Sequence, residues 1–173
     1  MVDLLGFLNG ARAQEEALCR SSALFATLDG DPMYAAHRQR SQPDSSDWTI
    51  LSPGVPVFRT DRGQALDRPW PLCFITAAAP VATRIGQPEA AALLKQRIYR
   101  VLAVARAHGY RTLVLGAWGC GAFGNDPQQT AEDFRAALTD EYAGAFREVR
   151  FAISDWSPER RFLGPFRDVV QRR

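Results

Sequence analysis

Thr112-Leu113-Val114-Leu115-Gly116-Ala117-Trp118-Gly119-Cys120-Gly121-Ala122-Phe123-Gly124-Asn125-Asp126-Pro127 is the stretch on which the fold turns. Four apolar or β-branched residues predict a buried strand, and Asp126-Pro127 predicts an N-cap and first position of a helix reaching about Leu138. Between them lies a loop with four glycines. Glycine lets a backbone take positive φ and approach a ligand closely, and free N–H groups near a helix start attract phosphate. A diphosphate is the ligand this arrangement suits.

Gly119, Gly121 and Gly124 also spell the GxGxxG of a dinucleotide site. Only about fifty residues follow, enough for a helix, a strand and a tail but not for the sheet that such a site needs. A merely tight turn is the plainer alternative. Phe123 is either an aromatic platform or core, and its place inside the loop favours the platform. Cys120 is either a nucleophile or a small residue that fits; neither histidine is recognisably paired with it.

Outward from the loop, Pro88 to His108 reads as a helix: proline at the start, then Leu93, Leu94, Ile98, Tyr99, Val101, Leu102 and Ala105, with His108-Gly109 at the end. Pro71–Thr76 reads as a buried strand that ends in a loop from Ala77 to Gln87. Trp48–Leu51 and Val55–Phe58 read as strands about a turn at Ser52-Pro53-Gly54, and the prolines suggest a sheet edge. The apolar spacing from Gln14 to Leu28 predicts one helix, stopped by Asp29-Gly30-Asp31-Pro32, with a polar loop from His37 to Asp47. Glu148–Ser154 is expected as the last strand and Pro158–Val170 as the last helix. Strands alternating with helices imply an α/β layered fold with a partly parallel sheet.

The 173 residues fit one domain, and no apolar run approaches a membrane span. Net charge is +2, and 21 basic residues, all arginine except Lys95, are spread along the chain rather than gathered into a nucleic-acid footprint. Three cysteines without a CxxC indicate neither a disulfide framework nor zinc, and a reducing cytoplasm is the natural setting. The start has no secretory pattern. His37 and His108 lack ligand clusters, so no metal is expected, and both are read as surface or helix-end residues.

Gln14-Glu15-Glu16 opens the first helix after Gly6-Phe7-Leu8-Asn9-Gly10-Ala11-Arg12-Ala13. Acids in a first turn complement the helix dipole, and Glu16 can pair with Arg20 one turn on. The second reading is general acid and base chemistry on a glycosidic bond by one carboxylate beside a glycine-containing loop.

The two segments together, Gly6 to Glu16 and Gly116 to Asp126, resemble the bacterial-type poly(ADP-ribose) glycohydrolase family, whose signature is GGG, a short spacer and QEE. Ser52-Pro53-Gly54-Val55-Pro56-Val57-Phe58-Arg59 and Ile75-Thr76-Ala77-Ala78-Ala79-Pro80 are similar to its intervening segments, so the likeness runs from about Gly6 to the C-terminal region. The resemblance implies a single macrodomain over residues 1–173, a three-layer α/β/α fold with a mixed, partly parallel sheet. It also implies hydrolysis of the ribose-ribose bond of poly(ADP-ribose), without cofactor or metal. Glu16 then protonates the leaving ribose hydroxyl and activates water, and Glu15 holds a ribose hydroxyl. Gly6 and Gln14, with Gly119, Cys120, Gly121, Ala122, Phe123, Gly124 and Asn125, bind the substrate; the loop cradles the diphosphate and Phe123 packs against the distal ribose. The implied partner is ADP-ribose or its polymer on modified proteins, with no direct nucleic-acid or membrane contact.

Two departures bear on this expectation. Leu4-Leu5-Gly6 stands where the family has three glycines, and the family's upstream strand and adenine-side elements precede the point where this sequence starts. An open sheet edge and self-association are then expected. The Glu15-Glu16 pair favours a hydrolase, whereas Leu4-Leu5 favours a binding module that recognises ADP-ribose without turnover.

Overall fold

In a computed structural model the chain is described at Gly10 and over residues 13–170. Leu4, Leu5 and Gly6 lie outside the described residues. Two compact units divide the chain: one takes it as far as Ser41 and again over Trp48–Ala78, the other takes Gln42–Asp47 and the chain from Ala79.

The first unit contains helices α1 (Gln14–Ser21), α2 (Leu24–Leu28) and α3 (Pro32–Arg38) and strands β1 (Thr49–Arg59) and β2 (Ala65–Ala77). The single helix expected over Gln14–Leu28 is broken at Ser22, which is extended and bridges to Val57. Its hydroxyl donates to Leu18 O at 2.7 Å and accepts from Leu24 N at 3.2 Å, while Ala23 N donates to Pro56 O at 2.9 Å. Serine thus satisfies both sides of the break, a local competition that apolar spacing does not register. Helix α3 runs from the residues read as a stop into those read as a loop: Asp31 accepts from Met33 N at 2.8 Å and Pro32 takes the first helical position.

Ser52-Pro53-Gly54 is not a turn between two strands but a bulge inside β1, with Gly54 at φ +63°. Ser52 pairs with Phe74 and Val55 with Leu72, three steps on β1 against two on β2. That extra residue returns Val55 to the buried face already held by Ile50 and Ser52. Pro71–Thr76, expected buried, is exposed to half-buried within β2; Pro71, Leu72 and Cys73 are exposed in succession, so neither face of that part of the two-stranded pair is covered. The core joins Cys19, Leu24, Leu28, Met33, Tyr34, Ile50 and Val55.

The second unit contains α4 (Ala82–Ile85), α5 (Glu89–Ala107), β3 (Thr112–Leu115), α6 (Pro127–Thr139), β4 (Glu148–Phe151) and α7 (Leu163–Val170). Ala90, Leu94, Ile98, Leu102 and Ala105 form the buried stripe of α5. Strands β3 and β4 pair in parallel, from Thr112 opposite Glu148 to Leu115 opposite Phe151, and α6 is the crossover between them. Both ends of α6 agree with expectation within a residue or so, with Asp126 accepting from Gln129 N at 2.9 Å.

The last strand and the last helix are each shorter than expected, because the Asp155 carboxylate organises the chain between them. It accepts from the N–H groups of Ser157, Phe162 and Leu163 and from the Ser157 hydroxyl, which together hold it well below the usual carboxylate range. The antiparallel and parallel pairings, each with helices, make the chain mixed α/β as expected. Among the described residues no helix is long and apolar enough to cross a membrane, and no group of three potential metal ligands occurs. His108 caps α5, and His37 lies in the last turn of α3 but is buried.

Candidate functional site

The predicted residues fall into two clusters, one in each unit. In the first, Gln14 opens α1 and Glu15 and Glu16 complete its first turn. Among the described residues no side chain caps this end. Glu15 accepts a hydrogen bond from the Tyr34 hydroxyl at 3.3 Å. Burial raises the Glu15 pKa, opposed by that hydrogen bond and reinforced by the Glu16 charge.

The Oε2 atom of Glu16 is buried and receives no hydrogen bond from any described residue, Arg20 included. Pairing along the helix therefore does not satisfy this oxygen. A buried carboxylate oxygen without a donor is costly for stability, and in an active site it is the acceptor that a substrate hydroxyl or a water would fill. One turn on, burial and the two glutamate charges push the Cys19 thiol up to about 11, so it stays protonated and is no competing nucleophile.

In the second cluster, β3 delivers the chain into the glycine loop and α6 takes it away. Cys120 N donates to Ala117 O at 3.1 Å, Gly124 N to Gly121 O at 3.0 Å and Asn125 N to Gly119 O at 3.1 Å. The Asn125 side-chain amide locks the loop further, donating to Pro80 O at 2.9 Å and Gly119 O at 3.0 Å. In contrast, the consecutive N–H groups of Gly121, Ala122 and Phe123 reach no acceptor among the described residues. Gly121 and Ala122 are exposed and Phe123 half-buried. Three such amides just before a helix start are donors left open for an acceptor, and free amides near a helix N-terminus favour phosphate oxygens.

The glycines serve different ends. A Cβ on Gly119 would lie 2.6 Å from Asn125 Nδ2 and 2.8 Å from Ala79 Cβ, and one on Gly124 would lie 2.5 Å from Thr83 Cγ2, both at positive φ. A Cβ on Gly121 would meet nothing within 4 Å. Gly119 and Gly124 are thus required by the loop's own packing, and Gly121 is not.

Phe123 stands outside the buried core and accepts from Thr83 N through its carbonyl at 3.2 Å. Cys120 is buried, its thiol pushed up to about 11 by burial and turned toward Trp118 O at 3.5 Å, which is the small-residue role rather than the nucleophile's. Asn125 Oδ1 is buried without a partner among the described residues and is a second acceptor facing no donor.

Sequence reasoning missed Tyr34 and Thr83. Both lie in short helices, Thr83 within a stretch read as loop and Tyr34 between the stop at residues 29–32 and the loop that begins at His37; for Tyr34 the available signal was Asp31-Pro32, a cap followed by an N1 proline. A separate cavity of about 420 Å³, lined in part by Arg160, Arg161 and Arg167, includes none of the predicted site residues.

The family described as the microbial-type poly(ADP-ribose) glycohydrolase (PARG) catalytic domain matches residues 6–60. Among solved structures, the chain is similar to Deinococcus radiodurans PARG in complex with ADP-ribose. One crystal form is 44% identical with a TM-score of 0.89, over 93% of this chain and 68% of that one. A second form is 45% identical at 0.91, over 97% and 70%. Thermomonospora curvata PARG is 48% identical at 0.90, over 95% of this chain and 62% of that one. No curated protein matches the sequence.

Proposed function

We propose that this chain, which belongs to the microbial-type poly(ADP-ribose) glycohydrolase family, hydrolyses the ribose-ribose O-glycosidic bond of poly(ADP-ribose) and releases ADP-ribose. The observation that carries the reading is the buried, unpartnered oxygen of Glu16 in a first turn shared with Glu15. Relatives at 44–45% identity whose structures hold ADP-ribose support the substrate class.

In this reading the Glu16 carboxylic acid gives its proton to the leaving ribose hydroxyl oxygen as the bond to the anomeric carbon breaks. The carboxylate then takes a proton from the water that attacks that carbon, which restores the acid. Glu15 holds a ribose hydroxyl, Gln14 and Gly6 border the same ligand, and Gly119–Asn125 receives the diphosphate, with Phe123 against the distal ribose. The three free amides of the loop support the diphosphate assignment. No metal or cofactor takes part.

The substrate on this reading is ADP-ribose polymer carried by modified proteins in a reducing cytoplasm, and the three cysteines, all free thiols, are in keeping with that setting. One domain over residues 1–173 is part of the proposal, as is self-association through β3, where Val114 is 69% exposed. Light scattering at rising concentration checks the last point, and a constant monomer mass removes it.

The test of function is chromatography of products from poly(ADP-ribose), alongside calorimetry with ADP-ribose. Release of ADP-ribose by the unaltered chain, lost in Glu16→Gln while binding persists, is the expected result. Binding without turnover would instead make the chain a reader module, an alternative that rests on Leu4-Leu5 and on no described residue.

A further inference from the structure

We propose that Tyr34 is a positioning residue for this reaction: its hydroxyl, held at the first turn of α1 by the packed helix α3, fixes one oxygen of Glu15 and leaves the other for the ribose hydroxyl. The inference rests on the glycohydrolase reading and deepens it.

Tyr34 is 2% exposed, its ring packed in the core with Cys19, Leu28 and Met33. Its backbone is anchored by the Asp31 cap and by Pro32, so the ring enters from a fixed point. A phenylalanine would fill the same apolar space; the hydroxyl is needed only if it has a partner, and Glu15 Oε2 is the partner it has. At 3.3 Å the bond is long for an O–H···O contact, and such bonds in unliganded enzymes tighten in the complex.

Burial and the Glu15 charge raise the Tyr34 pKa far above the ordinary phenol value. The hydroxyl is therefore a donor at every working pH. The charged or titratable groups around this contact are Glu16, Cys19 and Arg20 on α1, Asp31 at the cap of α3, and Arg59 of β1, which donates to Arg20 O. Tyr34 is the hydrogen-bond donor that lowers the Glu15 pKa against burial. Without it the carboxylate loses both its orientation and a hydrogen bond that favours its ionised form.

The experiment compares the full chain with Tyr34→Phe, Glu15→Gln and the double variant. It measures kcat and KM on poly(ADP-ribose) across pH, and the titration of the Glu15 carboxyl by carbon NMR. Tyr34→Phe is expected to keep its fold, lower kcat/KM about tenfold and move the acid limb and the Glu15 titration upward. The double variant should be no worse than Glu15→Gln, because both changes remove one coupled unit. Additive losses, or an unmoved titration with full activity, overturn the proposal. A chain that turns over no polymer overturns the glycohydrolase reading and this role with it; the carboxyl titration still reports whether Tyr34 holds Glu15.

Discussion

Glu15 and Glu16 are adjacent in sequence and unlike in surroundings: one carboxylate has a phenolic donor, the other has a buried oxygen with none. Glu16→Gln keeps the shape and removes the proton that can be given and taken, so turnover should fall about 10²–10⁴-fold with ADP-ribose affinity little changed. Kinetics and calorimetry on one preparation check it. Glu15 makes a prediction about stability. Its folded pKa is raised, so between the ordinary carboxylate value and the raised one the native state binds more protons than the unfolded chain. Stability then falls as pH rises through that window. Glu15→Gln should accordingly raise the melting temperature by about 2 °C at neutral pH, and the gain should vanish near pH 4, below both values. A gain that persists in acid would mean that charge is not its source. The place of the acid pair at a helix start was legible because it is a local pattern, whereas its chemistry was not, since acids in a first turn equally complement the helix dipole. Tyr34 was not, since no spacing rule links residues in two different helices and only packing brings phenol to carboxylate.

Among elements, the loop between β3 and α6 was the easiest to read, because glycine density and an Asp-Pro helix start are signals carried by adjacent residues. The interruption at Ser22 was hidden because the apolar residues on either side face one core and keep the helical spacing, and the bulge at Pro53-Gly54 because Ser-Pro-Gly is equally the composition of a turn. What the sequence did not reveal about the loop is which glycine serves the fold. Gly124→Ala must place a methyl group against Thr83 at φ +70°, and should cost at least about 1–2 kcal/mol in urea denaturation. Gly121→Ala has open space and should leave the urea midpoint unchanged, while weakening ADP-ribose binding if the free amide beside it receives the diphosphate. Equal affinity for Gly121→Ala would remove the close-approach argument at that position and leave the fold argument at Gly124 standing.

The organisation of the whole chain was the least legible, since residues 42–47, read as part of a polar loop, belong to the compact unit built on the later part of the sequence. The cause is a buried arginine: Arg97 on α5 is 2% exposed, donates from Nε to Asp47 Oδ1 at 3.3 Å and reaches Asp44 O. In a helix stripe a charged residue reads as solvent-facing, and only the returning segment explains its burial. The pair also makes an ordered prediction. Asp47→Ala removes the carboxylate partner of a desolvated guanidinium, whereas Arg97→Met replaces the guanidinium with an apolar side chain of similar reach, and removing one partner of a buried pair is usually the worse change. Because Asp47 is 39% exposed on its side chain, the penalty for Asp47→Ala is discounted from the fully buried case to roughly 2 kcal/mol, with Arg97→Met below it. Urea denaturation of both variants measures the order. A larger loss in Arg97→Met would show that the arginine's hydrogen bonds to residues 44 and 47, rather than the cost of removing its carboxylate partner, hold that segment in the second unit.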